Sequence, residues 1–247
     1  MIVTEILGSG ASYGEAIKSM LNNFKNLFIA YSNVSFIERY EVDIINNIYR
    51  DIYEVTGFDK YYIAFQIEAD SNVDIVFQIY KKADCHTNNP IFEMIWSGDG
   101  GMSVDDTYYV QYKLYAIGNN NILHGFTLLG YMQDVGHQFI IFSTSSNSGN
   151  SYICSYNSAI INSDTPTSYN YKTNLVNFNE TEKALKQNLV ITYDYDYYSV
   201  FVDIIYGLDL FINSQFENMT FALIQVGNKR YRQVYENYIF VEDGDTE

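Results

Sequence analysis

Proline is nearly absent from this chain of 247 residues, occurring only at Pro90 and Pro166. Proline removes a ladder donor and interrupts strands, so its scarcity leaves long stretches free for sheet. Cysteine is as rare, with Cys85 and Cys154 alone. Two thiols exclude the multi-bridge framework of small secreted domains, and the expectation is two unpaired cysteines in a reducing compartment. Cations are few: fourteen Lys and Arg stand against thirty Asp and Glu, a formal net charge of -16. Affinity for phosphate needs clustered cations, so this balance argues against nucleic acid or an anionic membrane as partner. Unbroken apolar runs stop after a few residues, as at Phe139, Ile140, Ile141 and Phe142, whereas a membrane span needs about 20. Residues 1–7 carry Glu5 and no basic residue, unlike a secretory leader. Sequons at Asn33, Asn179 and Asn218 are read as chance matches in an Asn-rich chain.

What the chain does have is apolar and aromatic. Hydrophobic residues make up 47% and aromatics 17%, enough for a sizeable core and unlike a disordered acidic tail. The length suits one large β-rich domain or two small ones. Tyr (25), Asn (25) and Ile (28) together form roughly a third of the sequence. Tyr and Ile favour strands and Asn favours turns. An AT-rich genome would produce the same bias.

Periodicity divides the chain. After an apolar piece at 2–7 and a Gly/Ser bend at 8–12, Ala16, Ile17, Met20, Leu21 and Phe24 recur at helical spacing. The expectation is an amphipathic helix over 13–24, with Ser12 and Glu15 in capping-box positions. A strand is expected at 27–31. Over 40–53, Ile45, Ile48, Tyr49 and Ile52 fit a second helix capped by Asp43. From Tyr61 the period becomes two. Residues 61–68 and 73–79 read as an antiparallel hairpin about a turn at 70–72. Further strands are expected at 110–115, 126–131, 138–144 and 151–156, then at 189–198, 200–206, 220–226 and 230–240. A short helix is expected near 180–187. The fold class is therefore mainly β (α+β), an antiparallel β-sandwich or open barrel with an N-terminal helix. The stretch 163–168 around Pro166 is the candidate linker. It divides 1–162, helix plus sandwich, from 169–247, a C-terminal helix and hairpin region that can belong to the same domain.

Chemical motifs are weak. Gly8, Gly10 and Gly14 imitate a dinucleotide fingerprint, but no acidic residue ends the next strand, and the rest alternates like antiparallel sheet. Asp70, Asn72 and Asp74 open like a calcium loop, but Ile75 stands where glycine is needed and Lys81 where a bidentate Glu is needed. His86, His124 and His137, even with Cys85, show no zinc-type spacing. Asp194 and Asp196 share one face of an alternating strand, which suits a wet sheet face better than paired acid and base. No Gly-x-Ser-x-Gly elbow occurs. The expectation is no catalytic residues, no cofactor and no metal. A hydrolase ranks last among the function classes.

Three features together resemble phage virion structural proteins of the tail, neck or baseplate. They are the early helix from Glu15 to Phe24 followed by a strand, the pair 138–144 and 151–156 joined by a small-residue loop, and the ending at 227–235 with its aromatic acidic sequel at 238–243. The resemblance implies a particle subunit that acts by protein–protein assembly, folded in the host cytoplasm and resident in the virion, with other virion proteins and its own copies as partners. A receptor-recognition β-sandwich that binds glycan through its many tyrosines is the alternative. Lys229, Arg230 and Arg232 concentrate positive charge beside Tyr231, Tyr235 and Tyr238. These six residues are the candidate interface, on a hairpin turning at Gly227 and Asn228.

Overall fold

The computed structural model describes residues 2–69, 73–97, 102–119, 121–130, 139–143, 146–155, 158–163, 168–173, 186–194, 199–211, 223–226, 229–233 and 240–243. The fold is mainly β with one α-helix among the described residues, and it is built of antiparallel strand pairs throughout the meander and the C-terminal unit. The chain forms two compact units, one of residues 3–123 and 128–134, the other of 1–2, 124–127 and 135–247.

The N-terminal unit opens with strand β1 (Ile2–Gly10) and helix α1 (Tyr13–Phe28). The apolar stripe is buried as expected: Ala16, Ile17, Met20, Leu21 and Phe24 are at most 2% exposed. Ser12 accepts the Glu15 amide, and Glu15 Oε2 in turn accepts the Ala11 amide at 2.9 Å. The helix runs four residues further than expected, to Phe28. Phe28 lies one turn beyond Phe24, extends its stripe and stacks on it at 4.5 Å. The strand expected at 27–31 is thereby overturned, because after the helix sheet resumes only at β2 (Val34–Asp43). The Gly/Ser bend is also shorter than expected, since β1 continues to Gly10. A Cβ on Gly8 would run into the Ala16 carbonyl and stand 2.6 Å from Met20 Cβ. These glycines let a strand lie directly on a helix, which explains the fingerprint-like spacing by packing.

Next comes a five-stranded meander in the order β2, β3 (Ile48–Val55), β4 (Tyr61–Ala69), β5 (Val73–Lys81) and β6 (Phe92–Ser97). The helix expected over 40–53 is replaced here by the end of β2, a turn and most of β3. Asp43 does cap, but it caps a turn: its Oδ1 accepts the Ile45 and Asn46 amides at 2.9 and 3.1 Å. Asx turns and helix N-caps use the same local bond, so the signal was real and the element wrong. One face of the meander carries Tyr53, Phe65 and Phe77 and receives α1. Phe65 lies 4.5 Å from Phe24 and 5.2 Å from Phe28, centroid to centroid. The Arg39–Asp51 ion pair at 2.6 Å sits on the same face. Burial pushes the Asp51 carboxyl above its ordinary value although Arg39 opposes the rise, and the pairing with Asp51 pushes Arg39 up against its own desolvation.

The unit also holds β7 (Met102–Val104) and β8 (Thr107–Asn119), which pair with each other. The Asn33 carboxamide bonds Leu123 in both directions, at 2.9 and 2.8 Å, so this sequon asparagine is used internally. Strand β9 (Ile122–Gly130) has residues in both units.

In the C-terminal unit, β10 (Phe139–Ser143), β11 (Tyr152–Ser155), β12 (Ser158–Ile161), β13 (Ser168–Thr173), β14 (Lys186–Asp194) and β15 (Ser199–Phe211) pair each with the next. Strands β12 and β13, on either side of Pro166, are direct neighbours. The chain then reaches β16 (Leu223–Val226) and returns through β17 (Lys229–Gln233) and β18 (Phe240–Asp243), which pairs with β15. Of the short helix expected near 180–187, Lys186 and Gln187 begin β14, and the remainder lies outside the described residues.

Candidate functional site

Polar side chains gather on the meander face opposite α1, covered by the segment 82–90. Alternation along the strands puts Arg50, Gln66, Gln78 and Tyr80 on this face. Arg50 is 1% exposed. Its Nε and Nη2 donate to Gln66 Oε1 at 3.0 and 2.7 Å, and its Nη1 donates to the Cys85 and Thr87 carbonyls, each at 2.8 Å. The guanidinium lies 4.8 Å from the Tyr80 ring centroid. A buried cation held by amide and main-chain carbonyl oxygens thus fastens the covering segment to the sheet, and the planar fork suits that task.

Around it, Cys85 is buried among Ile52, Ala64 and Tyr80. Burial first, then the nearby Glu38 charge, pushes its thiol above the ordinary value. The Tyr80 hydroxyl is buried with no hydrogen-bond partner among the described residues, and burial raises it to about 12. His86 Nε2 meets Glu38 Oε1 at 2.5 Å, and the His86 ring lies 4.9 Å from that of Tyr40.

Glu38 reaches this face because of a β-bulge. Phe36 pairs with Tyr53 and Glu38 with Ile52, so Ile37 is an extra residue. Without it, Glu38 would share the helix-side face with Phe36; the bulge turns it over, as bulges re-aim side chains elsewhere. One donor atom each from Glu38, Cys85 and His86 then lies within 4.8 Å of the others. These three can hold a metal. As a nucleophile the trio is poorly tuned, because an active cysteine needs its thiol held low and this one is pushed up.

The C-terminal unit has its own polar centre at Asp203, 1% exposed. It accepts the Ser148 amide at 3.1 Å, the Ser148 hydroxyl, and the Tyr152 hydroxyl at 2.9 Å. Burial and this carboxylate together push the Tyr152 hydroxyl well up. The arrangement ties the 146–150 loop to β15.

Of the candidate interface residues, Lys229, Arg230, Tyr231 and Arg232 lie in β17, between β16 and β18. The register sets Arg230 across from Asp243 and Tyr231 across from Glu242. Acidic positions of β18 therefore lie beside the cationic strand on one side, while its other neighbour, β16, carries none. Tyr235, Tyr238, Gly227 and Asn228 lie outside the described residues, as do Asp70, Asn72, His137 and Asp196. His124 is half-buried, and burial lowers its imidazole. Both cysteines are free and buried.

The Cys85–His86 dipeptide was visible in the sequence, but Glu38 lies 48 positions away and is delivered by an unpredictable bulge. Arg50 falls in the stretch 40–53 that the sequence pattern assigned to a helix and was no candidate site residue; the cover of 82–90 distinguishes it. No family model matches the chain, and neither a curated protein nor a solved structure shows significant similarity to it.

Proposed function

We propose that the protein is a structural subunit of a phage or phage-tail-like particle, acting by docking on neighbouring subunits rather than by catalysis. The observation that carries this reading is the tip of the β2–β3 turn. Ile44 is 62% and Ile45 90% exposed. The turn beneath them is stiff: Asp43 accepts three bonds, from the Ile45 and Asn46 amides and from Asn46 Nδ2 at 2.8 Å, and Asn47 takes up the left-handed conformation at φ 57°. Two isoleucines presented to water on a preorganised turn gain by contact with another surface. Burying both is worth roughly 4 kcal/mol, at about 2 kcal/mol per side chain. The acidic balance further supports protein neighbours over nucleic acid.

The test is complementation of particle assembly with the double variant Ile44→Asp, Ile45→Asp. The expected result is an unchanged melting curve with loss of incorporation into particles. Wild-type incorporation of the variant would remove the tip from the assembly surface. An Arg230→Glu, Arg232→Glu variant tested alongside reports on β17 separately; loss of incorporation with unchanged melting would add β17 to the surface.

A further inference from the structure

We infer that Glu38, Cys85 and His86 form a binding site for a divalent cation of the zinc class. The donor set is one carboxylate oxygen, one sulfur and one imidazole nitrogen, the three ligand types zinc takes in proteins. The mixture of thiolate and imidazole selects against magnesium and calcium, which prefer oxygen shells. The donor atoms already lie within 4.8 Å of one another. In a tetrahedral zinc sphere with bonds of about 2.0–2.3 Å, ligand atoms stand roughly 3.3–3.8 Å apart. Closing the widest donor separation by about one ångström and opening the 2.5 Å His86–Glu38 contact by about as much completes the site, a rearrangement on the scale of side-chain rotation.

The surroundings are built for ligation rather than incidental. The bulge at Ile37 turns Glu38 toward Cys85 and His86. The Arg50 guanidinium grips the Cys85 carbonyl and fixes the dipeptide's main chain. Tyr40 lies against the His86 ring and limits its rotation. Such outer partners orient metal ligands and are worth about 10–100-fold in affinity. Access is open on one side, since the His86 and Glu38 side chains are 53% and 44% exposed while Cys85 is buried. That leaves the fourth position to water. The cation would join edge strand β2 to the 82–90 segment and would convert the direct His86–Glu38 contact into a shared ligand. The site stands apart from the Ile44–Ile45 tip and does not depend on the assembly reading.

The test is Co2+ titration of the full chain after chelator treatment and thiol reduction, followed by competition with Zn2+. The expected result is one Co2+ per chain, with visible d–d bands of a tetrahedral site and a thiolate-to-cobalt charge-transfer band, both erased by Zn2+. His86→Ala and Glu38→Gln alter half-exposed side chains and keep the fold, and each should weaken binding by more than about tenfold. Cys85→Ala should abolish the charge-transfer band while circular dichroism stays native. Absence of the band in the wild-type chain would overturn the inference. So would its survival in Cys85→Ala, or unchanged affinity in both His86→Ala and Glu38→Gln.

Discussion

Replacing Arg50 by Met tests whether the buried guanidinium holds the polar face together. The substitution keeps an unbranched chain of similar reach and removes the charge and all donors. Four hydrogen bonds of 3.0 Å or shorter disappear, two to Gln66 Oε1 and one each to the Cys85 and Thr87 carbonyls. Bonds involving an ionised partner contribute about 1.5–3 kcal/mol each, so four would sum to roughly 6–12 kcal/mol if they were additive. Against this stands the desolvation of a cation only 1% exposed, several kcal/mol that the variant recovers. The difference leaves a net loss of about 3 kcal/mol. At the scale of a unit of this size that lowers Tm by about 10 °C. Arg50→Lys should lose about half as much, because an ammonium cannot bridge Gln66 and two carbonyls in one plane. Urea unfolding of both variants supplies the energies, and hydrogen exchange over 85–89 reports whether the segment loosens. A Met variant within about 1 kcal/mol of wild type, with unchanged exchange, would show that the guanidinium does not hold the 82–90 segment.

Three further outcomes follow from the same geometry. Tyr80→Phe removes a buried hydroxyl that has no partner among the described residues and should leave stability unchanged or raise it by up to about 1 kcal/mol; a loss of more than about 1 kcal/mol in urea unfolding would show the hydroxyl to be bonded. Gly8→Ala forces a Cβ against Ala16 and Met20 and should cost about 2–3 kcal/mol, whereas Ser9→Ala on the exposed side should stay within about 0.5 kcal/mol. Asp43 is held below its ordinary value of 3.8, chiefly by the Asn46 amide. Its contribution to the turn is therefore present above pH 3.8 and lost as pH falls through the lower folded-state value. The Ile45 and Asn46 amide resonances should titrate with a midpoint below 3.8, and a midpoint above it would contradict the capping geometry.

Much of the architecture could be read from alternation. Strands β4 and β5 follow the pattern of Tyr61, Ile63, Phe65 and Ile67 against Ile75, Phe77 and Ile79, and Ile63, Phe65 and Ile67 pair with Ile79, Phe77 and Ile75 in the structure. The α1 stripe was equally legible, since one face of a helix must be apolar to be buried. The failure at 40–53 has a definite cause. Ile45, Ile48, Tyr49 and Ile52 match a helical stripe by position, but Ile45 is at a turn tip and points to solvent, so no common face exists. The extension of α1 through Phe28 was missed because Leu27 to Tyr31 is as apolar as a strand. The polar face was the least legible part. Its members come from β2, β3, β4, β5 and the 82–90 segment, and a single extra residue in β2 decides whether Glu38 belongs to it. Sequence patterns of period two cannot anticipate a bulge, because a bulge is the place where the period fails.

The place proposed for this chain is in an assembled particle. Quantitative mass spectrometry of intact, density-purified particles from the host that carries the gene tests it directly. Peptides from this chain should occur at a fixed copy number relative to the other structural proteins, unchanged by high-salt washing. Recovery of the chain only in the unassembled fraction would contradict it.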